Sequence, residues 1–314
     1  MTLHDCRDAF ADTLCSLAEL DDRIVAVVND SVGSSKLGGF QKRFPDRLVN
    51  VGIAEQAMVG VGAGLAAGGR IPFVSAASCF LTARAMEQIK VDIAYSRHHV
   101  VLCGQSPGVA YGELGPTHHS PEDLAWLRAI PGMAVVVPAD PAETAAAVRW
   151  AAAHDGPVFL RISRMGVPDI FAPELEYRPG VATALRQGGD VGLICMGTTV
   201  APSLEAARIL ASEGIEATVL SMGSIAPLDR GAIVEAARVT GALVTVEEAH
   251  VSGLGGAVAE VVVEEHPVPV RRVGLRDFAR TGSTAWLMQQ AGIEPVAIAS
   301  AARELVREVA GRRA

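Results

Sequence analysis

The sequence predicts an α/β protein made of two doubly wound domains. Three observations carry this prediction. The chain has 314 residues, more than one ordinary core fills and about right for two domains. Short runs rich in Val and Ile alternate with helix-like stretches along nearly the whole length. The runs are apolar on both faces, as parallel strands covered on both sides must be.

In chain order, a helix is expected over residues 5–20 and a strand over 24–29. A strand at 48–51 leads into a helix at 54–67. Strands at 71–75, 100–103, 134–137 and 158–162 follow, with helices at 83–96, 121–128 and 141–153 between them. This is the pattern of an open, mostly parallel sheet with helices on both sides. The stretch 165–189 is poor in helix signals and holds Pro168, Pro173, Pro179 and the Gly188-Gly189 pair. It reads as a linker. The expected domains are therefore residues 1–166 and 189–314, joined by 167–188. In the second domain, strands are expected at 191–196, 217–221, 243–246 and 270–273. Helices are expected at 202–213, 229–239, 256–265 and 301–310.

Composition narrows the function classes. Hydrophobic residues make up 50% and charged residues 20%, which suits a globular chain. Aromatics are only 4%, while Ala and Gly are abundant, which suits close helix–sheet packing. The net charge is -8, and no basic cluster offsets it, which argues against nucleic acid or an anionic membrane as partner. No apolar run has the length of a membrane span. The start, from Met1 to Asp8, is polar and lacks the core of a signal peptide. The five cysteines, at 6, 15, 79, 103 and 195, form no Cys-x-x-Cys pair. That pattern reads as reduced thiols of a cytoplasmic protein rather than disulfides or a zinc site.

Glu55 falls at the start of an expected helix, just after a strand. Ligands gather at the carboxyl ends of parallel strands, so a carboxylate there can be functional. It can equally favour the helix N-terminus through the macrodipole. Phe80, a lone aromatic in an apolar stretch, reads as core or as a stacking face. His118 and His119 are a plain surface pair or a group that donates and accepts protons near neutral pH. Arg7 and Arg164 are solvated charges or anion ligands.

The string Asn50-Val51-Gly52-Ile53-Ala54-Glu55-Gln56 resembles a signature of thiamine-diphosphate enzymes of the transketolase superfamily. Gly112-Glu113-Leu114-Gly115-Pro116-Thr117-His118 resembles a second. The likeness extends through Asn29-Asp30-Ser31, residues 131–140 and 158–164, Glu247-Glu248-Ala249-His250 and Gly253-Leu254-Gly255-Gly256. It implies a pyrimidine-binding thiamine-diphosphate domain followed by a transketolase C-terminal-like domain. It also implies residue roles. Glu55 bonds the aminopyrimidine ring and favours the tautomer that activates the thiazolium carbon. Phe80, Asp30 and Ile53 bind the cofactor. His118 faces the donor substrate. Arg7, Ser34 and Arg164 bind a sugar phosphate.

Three departures bear on substrate. The family's Thr-Phe-x-x-Phe keeps only Phe80 here, and Met86 or Tyr111 are candidates for the lost wall. Its Thr-His is Gln105-Ser106. Its Glu-Asp-Gly is Glu113-Leu114-Gly115. An apolar Leu114 cannot bond a donor hydroxyl, and an unpaired buried polar group rejects a substrate strongly. The expected donor or acceptor therefore differs from the usual pentose phosphates.

The family's Gly-Asp-Gly and the Asn that follows it, which place the metal and diphosphate, occur nowhere in this chain. The resemblance thus implies half of an active site. A partner subunit supplies the diphosphate side and the Mg2+ ligands, in a heterotetramer of two plus two, and this chain contributes no metal ligand. Three alternatives stay open: the β-subunit of a 2-oxoacid dehydrogenase, a deoxyxylulose-phosphate-synthase-like acyl transferase, and an inactive regulatory homologue. Retention of Glu55 speaks against the last.

Overall fold

A computed structural model describes residues 2–313. The first unit opens with β1 (His4–Asp5), α1 (Cys6–Leu20), β2 (Ile24–Val28), α2 (Gly38–Arg43), β3 (Leu48–Asn50) and α3 (Glu55–Ala67). It continues with β4 (Ile71–Ala77), α4 (Ser78–Arg84), α5 (Met86–Gln88), a π-turn at Ile89–Tyr95, and β5 (Val101–Gln105). Then come α6 (Asp123–Leu127), β6 (Ala134–Val136), α7 (Pro141–Ala153), β7 (Val158–Ile162) and β8 (Gly166–Val167). The second unit holds β9 (Thr183–Arg186), β10 (Val191–Cys195), α8 (Val200–Ser212), β11 (Ala217–Ser221), β12 (Ser224–Ala226) and α9 (Arg230–Thr240). It ends with β13 (Leu243–His250), α10 (Leu254–Glu265), β14 (Val270–Leu275), α11 (Thr284–Gln290) and α12 (Pro295–Arg313).

The first sheet runs β12-β6-β7-β5-β4-β2-β3 and is parallel except for β12. The second runs β14-β13-β10-β11-β9 and is parallel except for β9. The expected α/β architecture is therefore present. On one face of the first sheet, α1, α2 and α7 bury Phe10, Leu14, Phe40, Ala147 and Val148. On the other, α3 and the π-turn bury Met58, Val59, Ile89 and Ile93. That second core is continuous with the second unit, where Leu254, Ala257 and Val258 of α10 join Leu124 and Leu127 of α6.

The structure departs from expectation in four places. The helix expected at 83–96 begins at Ser78, is interrupted at Ala85, and ends as the π-turn. Thr183–Arg186, inside the stretch read as linker, forms the antiparallel edge of the second sheet. Ser224–Ala226, from the second unit, closes the edge of the first sheet. Helices α2 and α11 had no counterpart among the expected elements.

All five cysteines are buried and free. Among the described residues, no helix is long and apolar enough to cross a membrane. None of their His, Cys, Asp and Glu side chains form a group of three or more placed to hold a metal.

Candidate active site

Four neighbouring strands of the first sheet end on one cleft. Asn29 and Asp30 follow β2, Ile53 and Glu55 follow β3, Ala77 ends β4 and Phe80 follows it, and the loop carrying His118 follows β5. The cleft measures about 410 Å³ and is lined by these residues with Ser31, Ser34, Arg84, Tyr111 and Leu114. Parallel strands make such a place because every strand delivers its exit loop to the same edge.

Local chemistry fixes the β2 and β3 exits. Asp30 has φ +70°, a left-handed conformation that Asp tolerates better than most residues. Asn50 holds it there. The Asn50 side-chain oxygen accepts from the Asp30 N–H and the Gly52 N–H, each at 3.0 Å, and its amide donates to Asp30 Oδ1 at 3.2 Å. Gly52, at φ +75°, turns the chain into α3.

Glu55 is the first residue of α3 and is buried, at 4% exposure. Its Oε1 accepts from Asn29 Nδ2 at 2.7 Å and from Arg84 Nη1 at 2.9 Å. Both donors take the same oxygen. Burial pushes the Glu55 carboxyl up. Its own backbone N–H, the bonds from Arg84 and Asn29, and the Arg84 charge outweigh that and hold it below the ordinary carboxylate value.

Aromatic and cationic groups form one wall. Arg84 lies 4.0 Å from the Phe80 ring centroid, one helical turn away on α4. His118 meets Phe80 edge-on at 5.1 Å and Tyr111 at 5.8 Å. Arg164 sits 5.0 Å from the Tyr111 ring. Thr117 Oγ1 lies 3.0 Å from His118 Nδ1.

Of the site residues expected from sequence, Glu55, Phe80, Asp30, Ile53, Ser34 and His118 share the cleft. Arg164 is exposed and reaches it through Tyr111. Arg7 stands apart. It is buried, with its guanidinium engaged by Asp5 (Nη2 to Oδ2, 2.6 Å) and by the Ser34 carbonyl (2.8 Å), so it touches the cleft only by holding Ser34. Tyr111, one of the two candidates for the lost wall, lines the cleft beside His118. Met86 instead lines a separate apolar hollow with Ala83, Ala125, Trp126 and Ala129. His119 is buried, and its Nε2 lies 3.2 Å from the Gly112 carbonyl. Sequence reasoning gave no role to Arg84 or Asn29. The usable signal was the Phe80–Arg84 spacing of four on a helix.

Beneath the cleft, Arg161 and Asp123 form a buried ion pair at 3.1 Å, and Ser78 donates to the same carboxylate at 2.8 Å. Arg161 also donates to the Glu248 carbonyl at 2.9 Å, tying the two units together. Removing one partner of such a pair strands the other and costs on the order of 3–5 kcal/mol.

The chain is thus a two-domain α/β protein that sets a buried, oriented carboxylate beside an aromatic face at the carboxyl ends of parallel strands. Comparison with known proteins gives the family. Residues 4–169 match the transketolase pyrimidine binding domain, and residues 180–298 the transketolase C-terminal domain. The chain is 43% identical over 306 residues to a subunit of the apulose-4-phosphate transketolase of Phocaeicola vulgatus, covering 96% of this chain and 98% of that one. It is 42% identical over 304 residues to the 6-deoxy-6-sulfo-D-fructose transketolase subunit SqwH of a Clostridium species, covering 96% and 94%. A solved structure described as a split gene transketolase, inactive beta4 tetramer, matches at a TM-score of 0.88 and 41% identity, covering 96% and 98%. The chain belongs to the transketolase family, whose cofactor is thiamine diphosphate.

The residues present fit the aminopyrimidine side of that cofactor. A carboxylate with one oxygen, Oε2, clear of side-chain donors offers the acceptor, while Phe80 and Ile53 (79% exposed) offer apolar faces.

Proposed function

We propose that this chain is the pyrimidine-side subunit of a split transketolase, which moves a two-carbon ketol unit from a ketose donor to an aldose acceptor. The observation that carries the reading is Glu55: buried, clamped through one oxygen, and facing a cleft walled by Phe80. A cytoplasmic partner subunit would add the diphosphate side and the Mg2+ ligands, in an assembly of two plus two. Bound thiamine diphosphate supplies the carbon nucleophile and the electron sink for cleaving the donor. This chain's residues bind, orient and exclude water. Asn29 and Arg84 fix the Glu55 carboxylate so that Oε2 is left for the ring. His118, held between Phe80 and Tyr111 with Thr117 at Nδ1, keeps Nε2 for a donor hydroxyl or carbonyl. Ser34 and Arg164 at the cleft's edge suit a terminal anion, phosphate or another.

Leu114 argues for a specialised donor. It is 55% exposed within the cleft and offers no hydrogen bond. A ketose hydroxyl buried against it loses its water partner without replacement. The relatives named for apulose 4-phosphate and 6-deoxy-6-sulfofructose support a sugar outside the common pentose phosphates.

The test is the reconstituted complex with and without Glu55→Gln. Loss of the ring-facing carboxylate should lower kcat by roughly 10²–10³ while assembly with the partner persists. Full activity in the variant overturns the reading. Xylulose 5-phosphate turning over as well as less hydroxylated ketoses would remove the specialised donor alone.

A further inference from the structure

We infer that the second domain positions His118, with Glu248 and the Thr281-Gly282 pair holding the loop that carries it. This rests on the reading of His118 as the donor-facing group.

The loop leaves β5 at Ser106 and closes on itself through paired backbone bonds between Gly108 and Ser120, at 3.0 and 2.8 Å. The second domain grips it in three places. At its start, Glu248 Oε1 accepts the Val109 N–H at 2.9 Å, while Oε2 accepts from Thr198 at 2.8 Å. At its end, the His250 N–H donates to the Pro121 carbonyl at 2.7 Å. In its middle, the Gly282 N–H donates to the Gly112 carbonyl at 3.3 Å, the same oxygen that His119 Nε2 reaches.

The loop's glycines record these contacts. A Cβ on Gly108 would lie 2.3 Å from Glu248 Oε1, one on Gly112 2.5 Å from the Gly282 carbonyl, and one on Gly115 2.4 Å from Thr281 Oγ1. Each of the three thus stands where a second-domain atom approaches too closely for any side chain. Gly115, at φ +75°, is three residues before His118, so Thr281 bears on the turn that aims the imidazole. On its outer side, the segment at 276–280 walls an open cleft of about 600 Å³.

Contacts that only glue two domains together act on stability and assembly. Contacts that aim a substrate-facing group act on donor binding, because misplacement by about 1 Å at a reacting centre costs up to roughly 10²-fold. The experiment uses the full chain assembled with its partner subunit, in wild type, Thr281→Ala, Thr281→Ser and Glu248→Gln. Thr281→Ala should raise donor KM on the order of ten-fold and leave cofactor affinity within about two-fold. Thr281→Ser, which keeps Oγ against Gly115, should restore it. Glu248→Gln, which still accepts from Val109, should fall between them. Amide exchange across residues 109–119 should quicken in Thr281→Ala. Unchanged donor KM with unchanged exchange overturns the inference, as does a parallel loss of cofactor affinity. The exchange measurement needs no turnover. If the wild-type complex transfers no ketol unit, the functional reading fails, while exchange still decides whether the second domain holds the loop.

Discussion

Two opposing influences act on the Glu55 proton. Burial disfavours the anion, while its backbone N–H, Arg84 and Asn29 favour it and prevail. Replacing Arg84 with Met removes a charge and a bond that both lower the Glu55 carboxyl, so its value should rise. The sign follows: with a depressed folded-state value, Glu55 contributes stability above its unfolded value, and loses it as pH falls through the folded one. Arg84→Met should therefore weaken that contribution at neutral pH and move the acid limb of the pH–rate profile upward. An unshifted limb in the reconstituted enzyme would show that Arg84 leaves Glu55 once the cofactor binds. Glu55, Phe80 and His118 were legible because short motifs carry them. Arg84 was not, since its partner lies 29 residues away in sequence and only the packing of α3 against α4 brings them together. The placement of Arg7 behind Ser34 was not legible, because an arginine's partners are invisible until Asp5 is seen folded against it.

Among elements, legibility followed local signals. Helix α7 was readable residue for residue, because Asp140 caps it through the Glu143 N–H and Pro141 starts it. The start of α4 was hidden because β4 passes into it without a turn residue. Strand β12 was unreadable because its sheet belongs to the other unit, and three residues carry no periodicity. The first turn of α7 also makes a prediction. Glu143 is buried beside Tyr177 and Gly223, with its Oε2 accepting the Ala139 N–H at 2.7 Å. Burial pushes its carboxyl from 4.5 to about 8. A raised folded-state value means that the group's stabilising contribution is complete below the unfolded value and is lost as pH rises toward about 8. Unfolding free energy should fall by on the order of 1 kcal/mol per pH unit across that window. Glu143→Gln, which keeps the Ala139 bond without titrating, should flatten the slope. Denaturant unfolding of both proteins at three pH values decides it, and equal slopes would sink the assignment.

At the scale of the molecule, the cleft is one-sided. Its polar groups come from the loops and helices that follow four strands of one sheet, and Ile53 and Leu114 present apolar side chains that are more than half exposed. Two of the buried carboxylates are already committed. Asp123 is bonded to Arg161 and Ser78, and Glu247 to the N-terminus of α10 through Leu254 and Gly255. Neither is free to take a divalent cation, and in the proposed reading the metal's ligands belong to the partner subunit. Cofactor affinity should therefore appear only on assembly. Titrated with thiamine diphosphate and magnesium, the lone chain should release negligible heat, whereas the co-purified complex should bind. The same linkage should show in melting: at about 100 times Kd the cofactor adds roughly 2.7 kcal/mol to the complex and nothing to the free chain. Tight binding by the lone chain would mean that the diphosphate side lies within these residues after all. Binding by neither would leave Glu55 without its ring and make the chain a regulatory homologue rather than half of an enzyme.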